Sequence, residues 1–348
     1  MKKVTMEQIA RQVGVSKFAV SQALSGKPGV AEETRSRIVE AAEQLGYRKT
    51  IKMSRKKAEL QESPDKRSEA ITGTVIILMP NVRFQSRESS YWGRIIDGVL
   101  AELTARDFGV MMVTESSSER LMNSINPDGV LGLIGIGYIA GTLLGEIRAS
   151  GIPAVLIDHE DEDVPTDTVF MNNYDCMRQL TKRAVRMGHA DMRFVGDASY
   201  SRSFHDRLLG FRIALEEESL PIPPNDDPLL RIGDDVHGII EAELSRMKAR
   251  KRWPSLFVCA NDSHAQLVVR ALREHGVRVP EDVSVTGFDH TPGPADLPCI
   301  STIEVPNELM GKRAVDVLMD RLRNPERPCE KLLINGPFIP GDTLRSMS

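Results

Sequence analysis

Four residues near the start of the chain, Lys17, Phe18, Ser21 and Gln22, carry the side chains a helix needs to read a DNA duplex. A lysine can donate to guanine, a glutamine can bond adenine in two places, and an aromatic ring can touch a thymine methyl. Each such contact discriminates by ~1–3 kcal/mol. They sit at the head of what reads as the second helix of a helix-turn-helix, where first-turn residues reach base edges. A small helical protein-interaction module is the alternative use of the same pattern. Other chemistries find no support. There is no GxSxG elbow, Walker loop, HExxH or close Cys/His set, and Gly135-Ile136-Gly137 lacks the third glycine of a dinucleotide loop. The four cysteines, Cys176, Cys259, Cys299 and Cys329, lie far apart with no CxxC spacing. They read as reduced thiols, and the expectation is a non-enzyme with no metal and no cofactor.

The elements that must hold those four residues are legible nearby. Thr5 and Gln8 form a capping box ahead of Ile9, Ala10 and Val13. Gly14 ends that helix, Val15 can pack beneath the turn, and Ser16 is placed to cap a second helix running to about Leu24. A third helix, Glu32 to Leu45, puts Ile38, Val39, Ala42 and Leu45 on one face and stops at Gly46. Charge agrees with a phosphate-facing role. Residues 1–57 hold thirteen Lys or Arg against five Asp or Glu, whereas the rest of the chain holds thirty-two against forty-four. A basic segment on an acidic body is the electrostatic footprint of a nucleic-acid binder.

At 348 residues, 41% hydrophobic and 27% charged, the chain suits two or three globular units. From Arg48 to Lys57 there are six basic residues and no acidic one, and a polar stretch with Pro64 follows, which reads as a linker. Beyond Ile71 short apolar runs alternate with amphipathic stretches. Strands are expected at 75–79, 110–113, 130–133, 154–157, 193–195, 256–259 and 283–285. Helices are expected through Ile95–Leu103 and around 177–187, 206–218 and 264–275. Such alternation implies parallel sheets covered by helices, and its restart near residue 170 implies two lobes with a ligand cleft at the strands' carboxyl ends. The longest apolar runs fall far short of the ~20 residues of a membrane span. The first residues, with Glu7, Gln8 and Arg11, lack the apolar core of a signal peptide, so the expected location is the cytoplasm.

Several of these stretches also resemble the lactose/galactose repressor (LacI/GalR) family. In the head they are Val4-Thr5-Met6-Glu7-Gln8-Ile9-Ala10, Gly14-Val15-Ser16, Glu32-Glu33-Thr34-Arg35, Ala41-Ala42 and Leu45-Gly46-Tyr47. In the body they are Gly151-Ile152-Pro153 to Asp158, Met187-Gly188-His189, Arg207 with Gly210-Phe211, Ala260-Asn261-Asp262, and Val279 to Val285 with Gly287-Phe288-Asp289. The resemblance implies a helix-turn-helix head of three helices (1–47), a basic hinge or linker (48–70) and an effector-binding, dimerisation domain (71–348). That domain would be a two-lobed, periplasmic-binding-protein-like parallel α/β sensor, with one lobe near 71–167 plus 298–325 and the other 168–297 plus 326–348. It further implies a homodimer on near-palindromic double-stranded operator DNA and a repressor whose affinity follows a small molecule. By the same resemblance Lys17, Phe18 and Gln22 set sequence preference, Thr5, Ser16, Ser25 and Thr34 meet phosphates, and Tyr47 joins the DNA-binding set. Tyr91, Trp92, Asp158, Arg207, Asn261 and Asp289 would line the effector cleft. Their chemistry suits a hydroxylated, sugar-like ligand, with Arg207 able to fork onto two oxygens and an aromatic face able to lie against a ring.

Departures from the family pattern are equally plain. The Pro-Asn and Ala-Arg-x-Leu that usually follow are replaced by Lys49, Thr50, Met53, Ser54 and Lys56, so the leucine wedge for the minor groove is missing. Ala31 replaces the usual cap of the third helix. Ser116 to Asn126 is shorter than the family's corresponding helix, and Asp235 stands about where some members place an aromatic ring. A regulator without a small-molecule effector, controlled by a protein partner, is the second reading these departures leave open.

Overall fold

Alternation within one strand sets the layers of the body. In β1, Thr74–Leu78, Val75 and Ile77 face one side of the sheet and Ile76 and Leu78 the other, the two-residue period of a pleated strand. All four are fully buried, so this strand must be covered by helices on both faces. The computed structural model describes residues 6–17, 19, 20, 34, 37, 38, 41, 73–80, 85–114, 116 and 129–347, and the chain divides into two units, Met1–Glu69 and Ala70–Ser348.

In the first unit, helix α1, Met6–Val13, ends at Gly14, whose φ of +75° suits glycine in a turn. The amides of Gly14 and Val15 both donate to the Ala10 carbonyl, at 2.9 and 3.0 Å. Ser16 then caps the next helical residues, its Oγ accepting from the Ala19 amide at 3.1 Å. Ile9, Ala10, Val13, Val20, Ile38 and Ala41 form a small core with Val15 packed against it.

The second unit holds two parallel sheets. The six-stranded one has the order β10-β5-β4-β3-β1-β2, where β2 is Gly109–Val113, β3 Val130–Ile136, β4 Ala154–Ile157, β5 Asp167–Met171 and β10 Lys331–Ile334. The three-stranded one runs β6-β7-β8, with β6 Met192–Val195, β7 Leu256–Cys259 and β8 Ser284–Thr286. A short antiparallel pair joins β9, Thr302–Ile303, to β11, Phe338–Ile339. Helices α2, Trp92–Ala105, and α8, Asn307–Arg323, cover one face of the larger sheet, and α3, Gly141–Ala149, the other. Against the smaller sheet lie α4, Asn173–Arg186, and α5, Arg202–Glu217, on one side, with α6, Val236–Ala249, and α7, Asp262–Glu274, on the other. Among the described residues, no helix is long and apolar enough to cross a membrane.

The lobe boundaries expected at 168 and 326 do not match the sheets. Strands β5 and β10 pair with each other, and β5 pairs with β4, so both belong to the larger sheet. The first crossing to the second lobe therefore comes after Met171, through α4. A later crossing carries the chain from β8 to α8, and a last one follows β10, ending where the Val285 amide donates to the Thr343 carbonyl at 2.8 Å.

Candidate effector pocket

The pocket opens where the carboxyl ends of both sheets face each other, a cavity of about 650 Å³. Tyr91 and Trp92 stand at the start of α2. That helix is fixed by backbone contact with α8, since a Cβ on Gly98 would collide with the Glu308 carbonyl and one on Gly311 with that of Ile95. At its start, the side-chain Nδ2 of Asn307 donates to the Tyr91 carbonyl at 2.8 Å. The two rings meet edge to face, centroids 4.8 Å apart. Tyr91 donates its hydroxyl to Asp158, at 3.4 Å, and Ser203 from the opposite lobe donates to the other oxygen of Asp158.

Arg207, only 2% exposed, is the hub. Its Nε donates to Asn173 Oδ1 at 2.8 Å, Nη1 donates to the Ala260 carbonyl at 2.7 Å, and Nη2 lies 3.0 Å from Asp289 Oδ1. The guanidinium also sits 3.8 Å from the centroid of the Phe288 ring. The fork expected to grasp a ligand is thus occupied largely by the protein itself, because a buried cation must find acceptors on every side. Asn261 is likewise committed in part, its Oδ1 capping α7 by accepting from the His264 amide at 2.9 Å while its Nδ2 can still donate.

Burial shapes the site's electrostatics. It pushes the Asp289 carboxyl up to about 7, against the pull of Arg207 and with the help of Asp262 and Asp158. Burial also raises Asp158, opposed by Ser203 and Arg207, and lifts the Tyr91 phenol well above its ordinary value. Asp262 is pushed up to about 6 by burial, although it accepts from Thr302 Oγ1 and the Thr291 amide, each at 2.7 Å. Asp158, Asp289 and His290 have φ of +56°, +102° and +55°, left-handed backbone that non-glycine residues seldom adopt. Such strain tends to gather at ligand clamps.

Tyr91, Trp92, Asp158, Arg207, Asn261 and Asp289 all line this one cavity. Sequence reasoning missed Asn173, Ser203, Tyr138 and Tyr200. The signal for Ser203 is Ser201, which caps α5 by accepting from the Phe204 amide at 3.2 Å and so places Ser203 in the first turn. Asp235 is not in the cavity wall. It caps α6, accepting from the Gly238 amide at 3.0 Å. In the head, Ser16 and Lys17 are exposed and Thr34 is half-buried. Thr5, Phe18, Ser21, Gln22, Ser25 and Tyr47 lie outside the described residues, as do Ala31, the 48–70 linker and nearly all of 116–126.

A family model for bacterial regulatory proteins of the lacI family matches residues 5–49, and one for the periplasmic binding protein-like domain matches residues 181–344. The probable HTH-type transcriptional repressor ExuR of Bacillus subtilis (strain 168) is 26% identical over 349 residues, covering 99% of each chain. Among solved structures, a complex of the transcriptional regulator CelR with cellobiose has a TM-score of 0.67 at 24% identity, covering 98% of this chain and 100% of that one. The Lac repressor dimer bound to operator and an anti-inducer also has a TM-score of 0.67, at 20% identity, covering 99% of this chain and 100% of that one. With a lacI-type helix-turn-helix domain ahead of a periplasmic-binding-protein-like body, the chain belongs to the LacI family of bacterial transcriptional regulators.

Proposed function

We propose that this regulator is a sequence-specific repressor that binds a near-palindromic operator as a homodimer and releases or tightens its hold when a sugar-like molecule occupies the pocket. The observation that carries the reading is the convergence of Asp158, Arg207, Asn261 and Asp289 with the Tyr91–Trp92 pair on one cavity between the two sheets. Carboxylates and an amide can exchange hydrogen bonds with vicinal hydroxyls, and the aromatic pair can cover a ring face. Two relatives support the pairing of roles, one solved with cellobiose and one with operator DNA. In the head, Lys17, Phe18, Ser21 and Gln22 read base edges, while Thr5, Ser16, Ser25, Thr34 and Tyr47 hold the backbone. Ser16 can do so despite its capping role, because the hydroxyl accepts from Ala19 and keeps its own proton to donate.

Ligand and operator are coupled by linkage. A sugar that prefers the DNA-bound arrangement of the lobes is a co-repressor, and one that prefers the other is an inducer. The test selects an operator from a random duplex library with the full-length protein and then measures its affinity across a sugar panel. At least one sugar should shift that affinity by about fivefold or more. Equal affinity with every sugar would replace this reading by control through a protein partner. On the selected operator, Gln22→Ala should relax one base position, and Lys56→Ala should weaken all sequences alike.

A further inference from the structure

Resting on the sugar-effector reading, we infer that the pocket is built for an uncharged disaccharide, with one ring held at the Arg207 end and the second lying against Tyr138 and Tyr200 at the mouth. The cavity is too large for a single pyranose ring. Its roughly 650 Å³ equals the share of about twenty liquid waters, and one ring with its hydroxyls displaces only about a third of that.

The two ends of the cavity also differ in kind. The deep end is polar, with Arg207 bound to Asn173, Ala260 and Asp289 and with Asp158 accepting from both lobes. The mouth carries two tyrosines, one from each lobe, that are 38% and 46% exposed at Tyr138 and Tyr200. Neither ring stands alone. Tyr138 is backed by His159 at 5.3 Å between centroids and by backbone hydrogen bonds to the buried Gln85, and Tyr200 is backed by Phe204 at 5.2 Å. Supported aromatic faces open to solvent inside a ligand cavity are suited to the apolar face of a sugar ring, whose stacking removes exposed area from water.

Charge argues for a neutral ligand. The cations of the wall are already paired, Arg207 with Asp289 and Arg202 with Glu160 and Asp206. A sugar acid would bring its carboxylate into a site whose burial already disfavours the charged forms of Asp158 and Asp289, while both arginines of the wall have partners. A neutral disaccharide meets no such penalty.

The full-length protein is titrated calorimetrically with maltose, cellobiose, lactose and trehalose, with glucose and galactose, with glucuronate, and with adenosine and uridine. One disaccharide should bind at least about tenfold more tightly than the monosaccharides it contains. Tyr200→Ala and Tyr138→Ala should each cost that disaccharide about tenfold while leaving monosaccharide affinity unchanged, and Tyr200→Phe should restore it. Unchanged melting temperatures of the ligand-free variants certify that they fold. The inference is overturned if monosaccharides or glucuronate bind as tightly as any disaccharide, or if both tyrosine variants weaken all sugars alike, outcomes that leave a sugar effector standing. Binding of a nucleoside and of no sugar overturns the sugar reading itself.

Discussion

The two walls of the pocket are held in different ways. On the second-lobe side, Arg207 is anchored to three partners and Asn261 is locked as a helix cap. On the first-lobe side, Tyr91 reaches Asp158 across 3.4 Å, a long hydrogen bond, and the tyrosine at the mouth is largely supported from behind. One wall is a preformed anchor whose groups cannot move without leaving buried charge unpaired. The other can adjust to what is bound. Effector binding is therefore expected to begin at the anchored wall and to close the looser wall onto the ligand, with Asp158 and Ser203 joining the two.

The sharpest way to break this contrast is Arg207→Ala. It strands the Asp289 carboxyl, the Asn173 amide oxygen and the Ala260 carbonyl without their donor in a buried site, and should cost about 3 kcal/mol or more in chemical denaturation. A loss under about 1 kcal/mol would mean that the anchor is not one.

Next comes the pH response. Asp289 has a folded pKa of about 7 against an ordinary value of 3.8, so the folded state holds the extra proton between those limits. Its contribution to stability is fully present below about pH 4 and is lost as the pH rises towards 7. Asp262, at about 6, acts with the same sign over a narrower window. Denaturation midpoints should fall from pH 5 to 7.5, and Asp289→Asn should flatten that slope; an identical slope in the variant would assign it elsewhere.

Asn261→Ala should cost about 1 kcal/mol through the lost cap of α7 and should also weaken sugar binding, because the amide donor goes with it. If thermal melting shifts and sugar affinity does not, Asn261 serves the helix alone. The smallest effect belongs to the adjustable wall. Tyr91→Phe removes the 3.4 Å contact to Asp158 and should change stability by about 0.5 kcal/mol or less, while its ring still covers the ligand. A loss as large as that of Arg207→Ala would erase the distinction between the walls.

Much of this was legible in the chain because it is local. The Gly14-Val15-Ser16 turn, with its left-handed glycine and its capping serine, follows from neighbours in sequence. So do the apolar runs of β1, β3, β4 and β7, which a parallel sheet covered on both faces requires. The cleft residues were identified from family resemblance rather than periodicity, and the cavity brings all six together. Strand β10, with alternating exposed and half-buried residues at a sheet edge, gives a weaker signal, and β5 was hidden by the apparent restart near residue 170.

By itself the sequence determined the alternation of most strands with four of the body's helices, the basic head and the residue types available to the pocket, since each depends on periodicity, capping or composition within a few residues; β5, β10, α3, α6 and α8 were not among them. Only the tertiary structure decided that β5 and β10 complete the first sheet, that Asp235 caps a helix instead of facing the cavity, and that Arg207 spends its donors on Asn173, Ala260 and Asp289. The reason is distance along the chain. Asn173, Ala260 and Asp289 are brought to Arg207 by strands and helices far apart in sequence, and a buried guanidinium bonds the acceptors that folding puts within its reach.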